Sequence, residues 1–190
     1  MRTRLAGLGA EWLRVKLASV APTIVANSAA RVLVGVSVVW SAAAIWHYRA
    51  APLSYYTELI GGLSGATRLG LEPTYYWDAL DQRGLDWLNQ NTRPGEGVLF
   101  CNDFRGLQYL RQWGKLRVGQ YPYEPGVPKW YVLQNRPGLF AETPWNRWLA
   151  EHGELAAFTH ELDGVPLIWI FPFDAHEESI RQTKRATEGR

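Results

Sequence analysis

Four acidic residues, Glu58, Glu72, Asp78 and Asp81, lie in or just beyond one tyrosine-rich stretch of this chain, Ala51–Asp78 (APLSYYTELIGGLSGATRLGLEPTYYWD). Glu58 stands beside Tyr55 and Tyr56, and Glu72 precedes Pro73-Thr74-Tyr75-Tyr76-Trp77. Aromatic rings stack on sugar faces and sit well among lipid headgroups, while carboxylates accept hydrogen bonds from sugar hydroxyls. Tyr55, Tyr56, Glu58, Glu72, Tyr75, Tyr76, Trp77 and Asp78 are therefore the candidate face for a glycan or for lipid headgroups. In a competing structural reading, Glu58 and Asp78 cap helices and the aromatics hold a domain against a membrane.

Other chemistries find no support. The four histidines (His47, His152, His160, His176) have no metal-ligand spacing with one another or with Cys101. Ser54, Ser64 and Ser179 lie in no nucleophile elbow. GLGAEW near the N-terminus has no strand before it and so is no phosphate loop. Cys101 is the sole cysteine, which excludes an intrachain disulfide, and in VLFC it reads as a small buried hydrophobe. A free-standing hydrolase or metalloenzyme is disfavoured, and no cofactor or metal is expected.

The elements that must position the candidate face begin with a membrane segment. Val32–Tyr48 carries no formal charge over 17 residues, and extension back to Asn27 gives 22 residues with Arg31 near one end. A helix crossing the hydrocarbon core needs about 20 apolar residues, and Arg31 can snorkel to the headgroups. Trp46, His47 and Tyr48 form an interfacial belt at the other end. Residues 1–31 hold five basic residues against Glu11 alone, a net +4, whereas the remainder is −2. That asymmetry predicts a cytoplasmic N-terminus and an extracytoplasmic C-terminal part in the inner membrane. It leaves no nucleic-acid footprint. Leu5–Leu17 is amphipathic and suits the inner membrane surface. A cleaved signal peptide, with Ala42-Ala43-Ala44 as its cut site, is the alternative for this region.

Beyond the span, Pro52–Tyr56 reads as extended, and Gly61, Gly62 and Gly65 as turns. Asp78–Asn91 is predicted helical with Asp78 as N-cap, Val98–Cys101 a buried strand, and Asn102 or Asp103 the cap of a helix to Trp113. A short strand is expected in Leu116–Tyr121, a loop at Pro122, Pro125 and Pro128, and a strand over Trp130–Gln134. A short helix to His152 follows, opened by Thr143 or Asn146, with Trp145, Trp148 and Leu149 inward. Leu155–Leu162 and Val165–Phe171 form a hairpin about Asp163-Gly164. Asp174–Arg190 reads as a charged tail, a frayed helix or disordered. The fold class is α/β: an N-terminal transmembrane helix, then a small mixed-sheet domain. The expected boundaries are an arm over 1–26, the span over 27–48, a membrane-proximal linker over 49–77, the domain over 78–173 and the tail over 174–190.

The stretch PLSYYTELIGG, following directly on an apolar span, resembles the exit from the last transmembrane helix in bacterial glycosyltransferases of family 39. These are the dolichyl-phosphate-mannose–protein mannosyltransferase type, with the GT-C fold. DWLNQNTRPGEGVLF, WYVLQNRPGLF and GVPLIWIFPF are similar to the family's extracytoplasmic domain, so the resemblance covers Trp40–Pro172. It implies an accessory domain of an enzyme that transfers a sugar from a polyprenyl-phosphate carrier. The family's catalytic acid belongs to an acidic motif in the first extracytoplasmic loop, and no position here matches it, so no catalytic residue is carried over. The resemblance implies a fragment, a split gene or a short paralogue whose partners are the lipid bilayer, the remaining transmembrane portion and a lipid-linked sugar or glycan. A membrane-tethered glycan-binding or subunit-assembly module is the alternative.

Overall fold

The computed structural model describes residues 31–75, 79–102 and 105–188. The arm over 1–26, the amphipathic Leu5–Leu17, residues 27–30 of the expected span and Asp103 lie outside the described residues. The chain forms two compact units, residues 1–47 and Tyr48–Arg190.

In the first unit, helix α1 (residues 31–47) runs on through a 3-10 turn at Tyr48–Ala50. Arg31–Ala50 is long and apolar enough to cross a membrane, with a mean hydropathy of 1.2 over its most apolar window. Val32, Leu33, Val36, Val39, Trp40 and Ile45 are all exposed, so α1 is apolar all round rather than on one stripe.

The second unit is α/β, as its alternating pattern implies. Its helices are α2 (Gly62–Arg68), α3 (Gln82–Asn91), α4 (Arg105–Gln112), α5 (Pro144–Glu151) and α6 (Phe173–Glu188). Its strands are β1 (Glu96–Phe100), β2 (Gly119–Gln120), β3 (Val127–Gln134), β4 (Phe158–Leu162) and β5 (Val165–Pro172). They form one mixed sheet in the order β2-β1-β3-β5-β4, with β2, β1 and β3 parallel and β5 antiparallel to both its neighbours. Alternation along the strands fills both faces. Val98, Phe100, Val132, Ile168 and Ile170 face a core completed by Leu85 and Leu88 of α3 and Leu107 of α4. Tyr131, Leu133, Trp169 and Phe171 face a second core closed by Leu149 of α5. Each leucine so buried contributes about 1.5–3 kcal/mol.

Several local expectations are corrected. The cap of α3 is Asp81, whose Oδ1 accepts from Gly84 N at 3.1 Å; the helix starts four residues later than expected, and Asp78 lies outside the described residues. Pro52–Ser54 is a 3-10 turn rather than an extended piece. Gly65 sits inside α2 rather than in a turn, because a Cβ there would lie 1.8 Å from the Ile60 carbonyl oxygen. Strand β3 begins at Val127, not Trp130. Pro128 is tolerated because β5 ends opposite Trp130, leaving that side of β3 unpaired, and because the β1 register shifts between Gly97 and Val98. Thr143 stands at the N-cap position of α5, but its hydroxyl donates to the Leu139 carbonyl at 2.9 Å, and Pro144 starts the helix. Asn146 and Leu149 are buried there while Trp145 and Trp148 are only half-buried. The hairpin turn stands as expected, with φ of 52° at Asp163 and 71° at Gly164, the backbone that a two-residue turn of the primed type requires, but its first strand begins at Phe158, because Gly153–Leu155 is a 3-10 turn.

The largest correction is the tail. Phe173–Glu188 is a helix packed on α5, β3 and β5. Asp174 in its first turn and Arg185 in its last suit the helix dipole. His176 and Ser179 are buried, and the His176 ring stacks on Tyr131 at 3.9 Å. Burial lowers the His176 pKa to about 4, because the imidazolium would lose its hydration there.

Two outcomes follow. Gly65→Ala drives a methyl into the Ile60 carbonyl and should cost about 2–4 kcal/mol, read as a fall of roughly 10 °C in the melting temperature of the detergent-solubilised chain. For His176 the folded pKa lies below the unfolded value near 6.5, so the unfolded state binds more protons between the two. Stability is full above about pH 6.5 and falls as pH drops toward 4, by about 1–2 kcal/mol after allowance for solvent at the ring edge. His176→Phe should flatten that part of the urea-midpoint profile against pH.

Candidate functional site

Residues 48–75 form a strap across one end of the sheet. That end is where β1 and β3 finish. The hairpin turn lies there too, since β5 starts beside the end of β3 with Asn135 N donating to the Leu167 carbonyl at 2.9 Å. The strap is fixed at both ends. Tyr48 Oη donates to Asp163 Oδ2 at 2.6 Å, which ties the strap's first residue to the hairpin tip. Thr74 Oγ1 donates to the Asn135 carbonyl at 3.0 Å, and Asn135 Nδ2 donates to the Pro166 carbonyl at 2.7 Å. Glu72 Oε1 accepts from Gly138 N at 2.7 Å. Between these points Ala51, Ser54, Leu63, Ala66 and Thr74 are fully buried.

The sequence-predicted face divides along this strap. Tyr56, Glu72 and Tyr75 come together: Tyr56 Oη lies 2.6 Å from the Glu72 carbonyl, to which it donates, and 3.1 Å from Tyr75 Oη. Burial, and then the contact with Tyr75, push the Tyr56 pKa upward, so Tyr56 is a neutral donor and not a base. Tyr55 and Glu58 form a looser pair, with Tyr55 Oη 3.5 Å from Glu58 Oε2 and the Tyr55 ring edge-on to Tyr48 at 5.1 Å. Glu58 opens a 3-10 turn capped by Thr57, so it is not itself the cap. Tyr55, Glu58 and Tyr75 are exposed. Tyr76, Trp77 and Asp78 lie outside the described residues. Asp81, besides capping α3, bonds Arg83 at 2.8 Å and so is committed to structure.

The geometry adds residues from the segment after β3. Asn135 and Gly138 receive the strap there, and Arg136 lies between them in sequence. The guanidinium of Arg136 acts electrostatically on Cys101, at the end of β1, and opposes the burial that pushes the Cys101 thiol up to about 11. Cys101 Sγ accepts from Gln134 N at 3.5 Å, so this thiol is an inert packing group rather than a nucleophile. Among the described residues, Glu72 Oε2 and Arg136 Nε are buried without a hydrogen-bond partner. The chain switches direction here, since β1 leads through α4 to β2 on one side while β3 lies on the other. In open α/β sheets such a switch point is where ligands bind. In this chain the strap is bonded beside it, to the segment after β3 and to the hairpin tip. The only signal that could have found these residues is the Asn-Arg-Pro-Gly sequence immediately after a buried strand.

The remaining tryptophans do not join this site. Trp130 packs edge-on against Trp87 at 4.8 Å and its Nε1 donates to the Asn91 carbonyl. Trp148 stacks on His152 at 3.9 Å. Trp113 is exposed beside Tyr109. A shallow groove of about 250 Å³ between α5 and α6 is lined by Trp145, Ile180, Thr183 and Lys184, and it belongs to the α5–α6 pair and not to the strap. No group of three or more His, Cys, Asp or Glu that could hold a metal ion occurs among the described residues.

No protein-family model, curated protein or solved structure matches the chain.

The strap staple is testable. Thr74→Val removes a buried donor and leaves the Asn135 carbonyl unmet, so it should cost about 1–2 kcal/mol. Limited proteolysis should then cut first within 68–75, which in the unaltered chain should resist cleavage.

Proposed function

We propose that this chain is the membrane-anchored, extracytoplasmic accessory domain of a polyprenyl-phosphate-sugar glycosyltransferase of the family 39 type. The anchor is α1, with its N-terminus cytoplasmic and the Tyr48–Arg190 unit on the other side. The sugar-transfer step belongs to further membrane helices, in the same polypeptide or in a partner subunit. The domain supplies a rigid surface beside the mouth of that cavity, on which Tyr55 and Tyr75 stack against a sugar ring and Glu58 accepts from its hydroxyls. Tyr56 and Glu72 hold that surface in place and do not react.

One observation carries the reading. Exposed Tyr55 and Glu58 lie within eight residues of the end of an apolar helix, on a segment that also carries exposed Tyr75 and is stapled to the sheet at Asp163, Asn135 and Gly138. A surface built that close to a membrane helix, and held that firmly, suits a lipid-linked rather than a freely diffusing ligand. A second reading, subunit assembly, is favoured by α1 itself: Gly35 has open space around it, and Ser41–Ala44 is a run of small residues that permits close helix approach.

The test is photolabelling of the full chain in nanodiscs with a benzophenone-bearing polyprenyl-phosphate mannose. Crosslinks are expected within 55–75, competed by polyprenyl-phosphate mannose but not by the free polyprenol. Tyr55→Ala and Tyr75→Ala should each weaken labelling about three- to tenfold. Labelling confined to α1 and indifferent to the sugar would overturn the donor face and leave assembly as the reading.

A further inference from the structure

The strap has an outer side of a different character from its aromatic centre. Leu53, Leu59, Leu69 and Leu71 are all exposed, Leu59 at 95% and Leu69 at 68%. The same segment buries Ala51, Leu63 and Ala66 completely, so the chain has sorted its apolar residues and left these four out. Their positions are fixed by backbone bonds. Leu59 lies in the 3-10 turn Glu58–Ile60, where Ile60 N and Gly62 N both donate to the Thr57 carbonyl at 3.2 Å. Leu69 N donates to the Gly65 and Ala66 carbonyls at 3.1 Å, and Leu71 N to the Ala66 carbonyl at 3.0 Å. Helix α2, about 10 Å long, thus carries exposed leucines at both ends.

Single exposed leucines need no explanation, but four in one 19-residue segment, together with exposed Tyr55 and Tyr75, concentrate apolar surface on the strap. Chain connectivity limits what can cover it. Leu53 follows Ala50, the last residue of the apolar helix, by three residues, which is at most about 10 Å of chain. The polar residues among the leucines are those of an interfacial segment: Arg49 and Arg68 are exposed, as is Glu58.

We propose that Leu53, Leu59, Leu69 and Leu71 bed into the headgroup–acyl boundary of the same bilayer that α1 crosses, with Tyr55 and Tyr75 at headgroup level. The strap is then a second, peripheral membrane contact, pre-formed by its staples so that insertion orders no additional chain. This rests on α1 as a membrane span and is independent of the glycosyltransferase assignment.

The test places single bimane probes on the full chain in phosphatidylethanolamine–phosphatidylglycerol nanodiscs, at Leu59→Cys, Leu69→Cys, Val38→Cys in α1 and Glu142→Cys on the exposed turn before α5. All four positions are exposed, so the variants should fold, and each is made in a Cys101→Ala background so that only the introduced thiol takes label. Lipid brominated near the headgroup should quench positions 59, 69 and 38 by about twofold or more and leave 142 untouched. Quenching at 38 alone, with 59 and 69 open to aqueous iodide, would overturn the docking and keep the anchor. Quenching at none would overturn both. Positions 59 and 69 shielded from iodide yet unquenched by lipid would also overturn the docking, in favour of a protein, such as a second copy, on the patch.

Discussion

The structure depends on one buried hydrogen bond, from Thr74 Oγ1 to the carbonyl of Asn135. Asn135 sits where β3 ends, and its own amide and side chain bond the start of β5. The strap, β3 and the hairpin therefore meet at one residue. With Tyr48 holding the other end of the strap to Asp163, the segment after α1 takes its shape from the sheet. Glu72 reinforces this by spending one carboxylate oxygen on Gly138. The placement of every candidate residue among the described ones follows from these contacts.

That arrangement has a consequence for chemistry. The switch point at the ends of β1 and β3 is where a doubly wound sheet would receive a ligand, and the chain staples its own strap beside it. Desolvation there raises the pKa of the Cys101 thiol, and Tyr56 is held neutral by burial and by Tyr75. Neither can serve as base or nucleophile at neutral pH. What stays available is the outward side of the strap, whose groups stack and hydrogen-bond. The site is suited to binding and positioning.

The parts legible in the sequence were those with one dominant local signal. Helix α1 is read from a charge-free apolar run, the β4–β5 hairpin from Asp163-Gly164 between apolar segments, and the core of β3 from WYVLQ. The parts that were not legible are those where tertiary contacts overrule local preference. Helix α6 buries His176 and Ser179, so the usual apolar periodicity is missing from its packed face. Gly65 resembles a turn residue, yet the close approach of Ile60 requires it within a helix. Pro128 looked like a strand breaker and is accommodated by an unpaired side and a bulge. In the candidate site, the grouping of Tyr56, Glu72 and Tyr75 was legible as a local cluster. Its partners Asn135, Arg136 and Gly138 lie about 60 residues away and carry no local mark.

The tether and the weak face belong together energetically. Stacking on one or two tyrosines and a few hydrogen bonds give little affinity to a domain free in solution. On the proposed reading, a membrane helix continuous with the strap would confine both the domain and a lipid-linked ligand to the same thin layer, where effective concentrations reach the millimolar range. Under that confinement modest contacts suffice, and rigidity becomes the property that matters, because each contact is then made without ordering the chain. The cost of that rigidity is a buried threonine, a buried asparagine and a committed glutamate within the strap and its receptor loop. A segment that served only to connect helix to domain would need none of them.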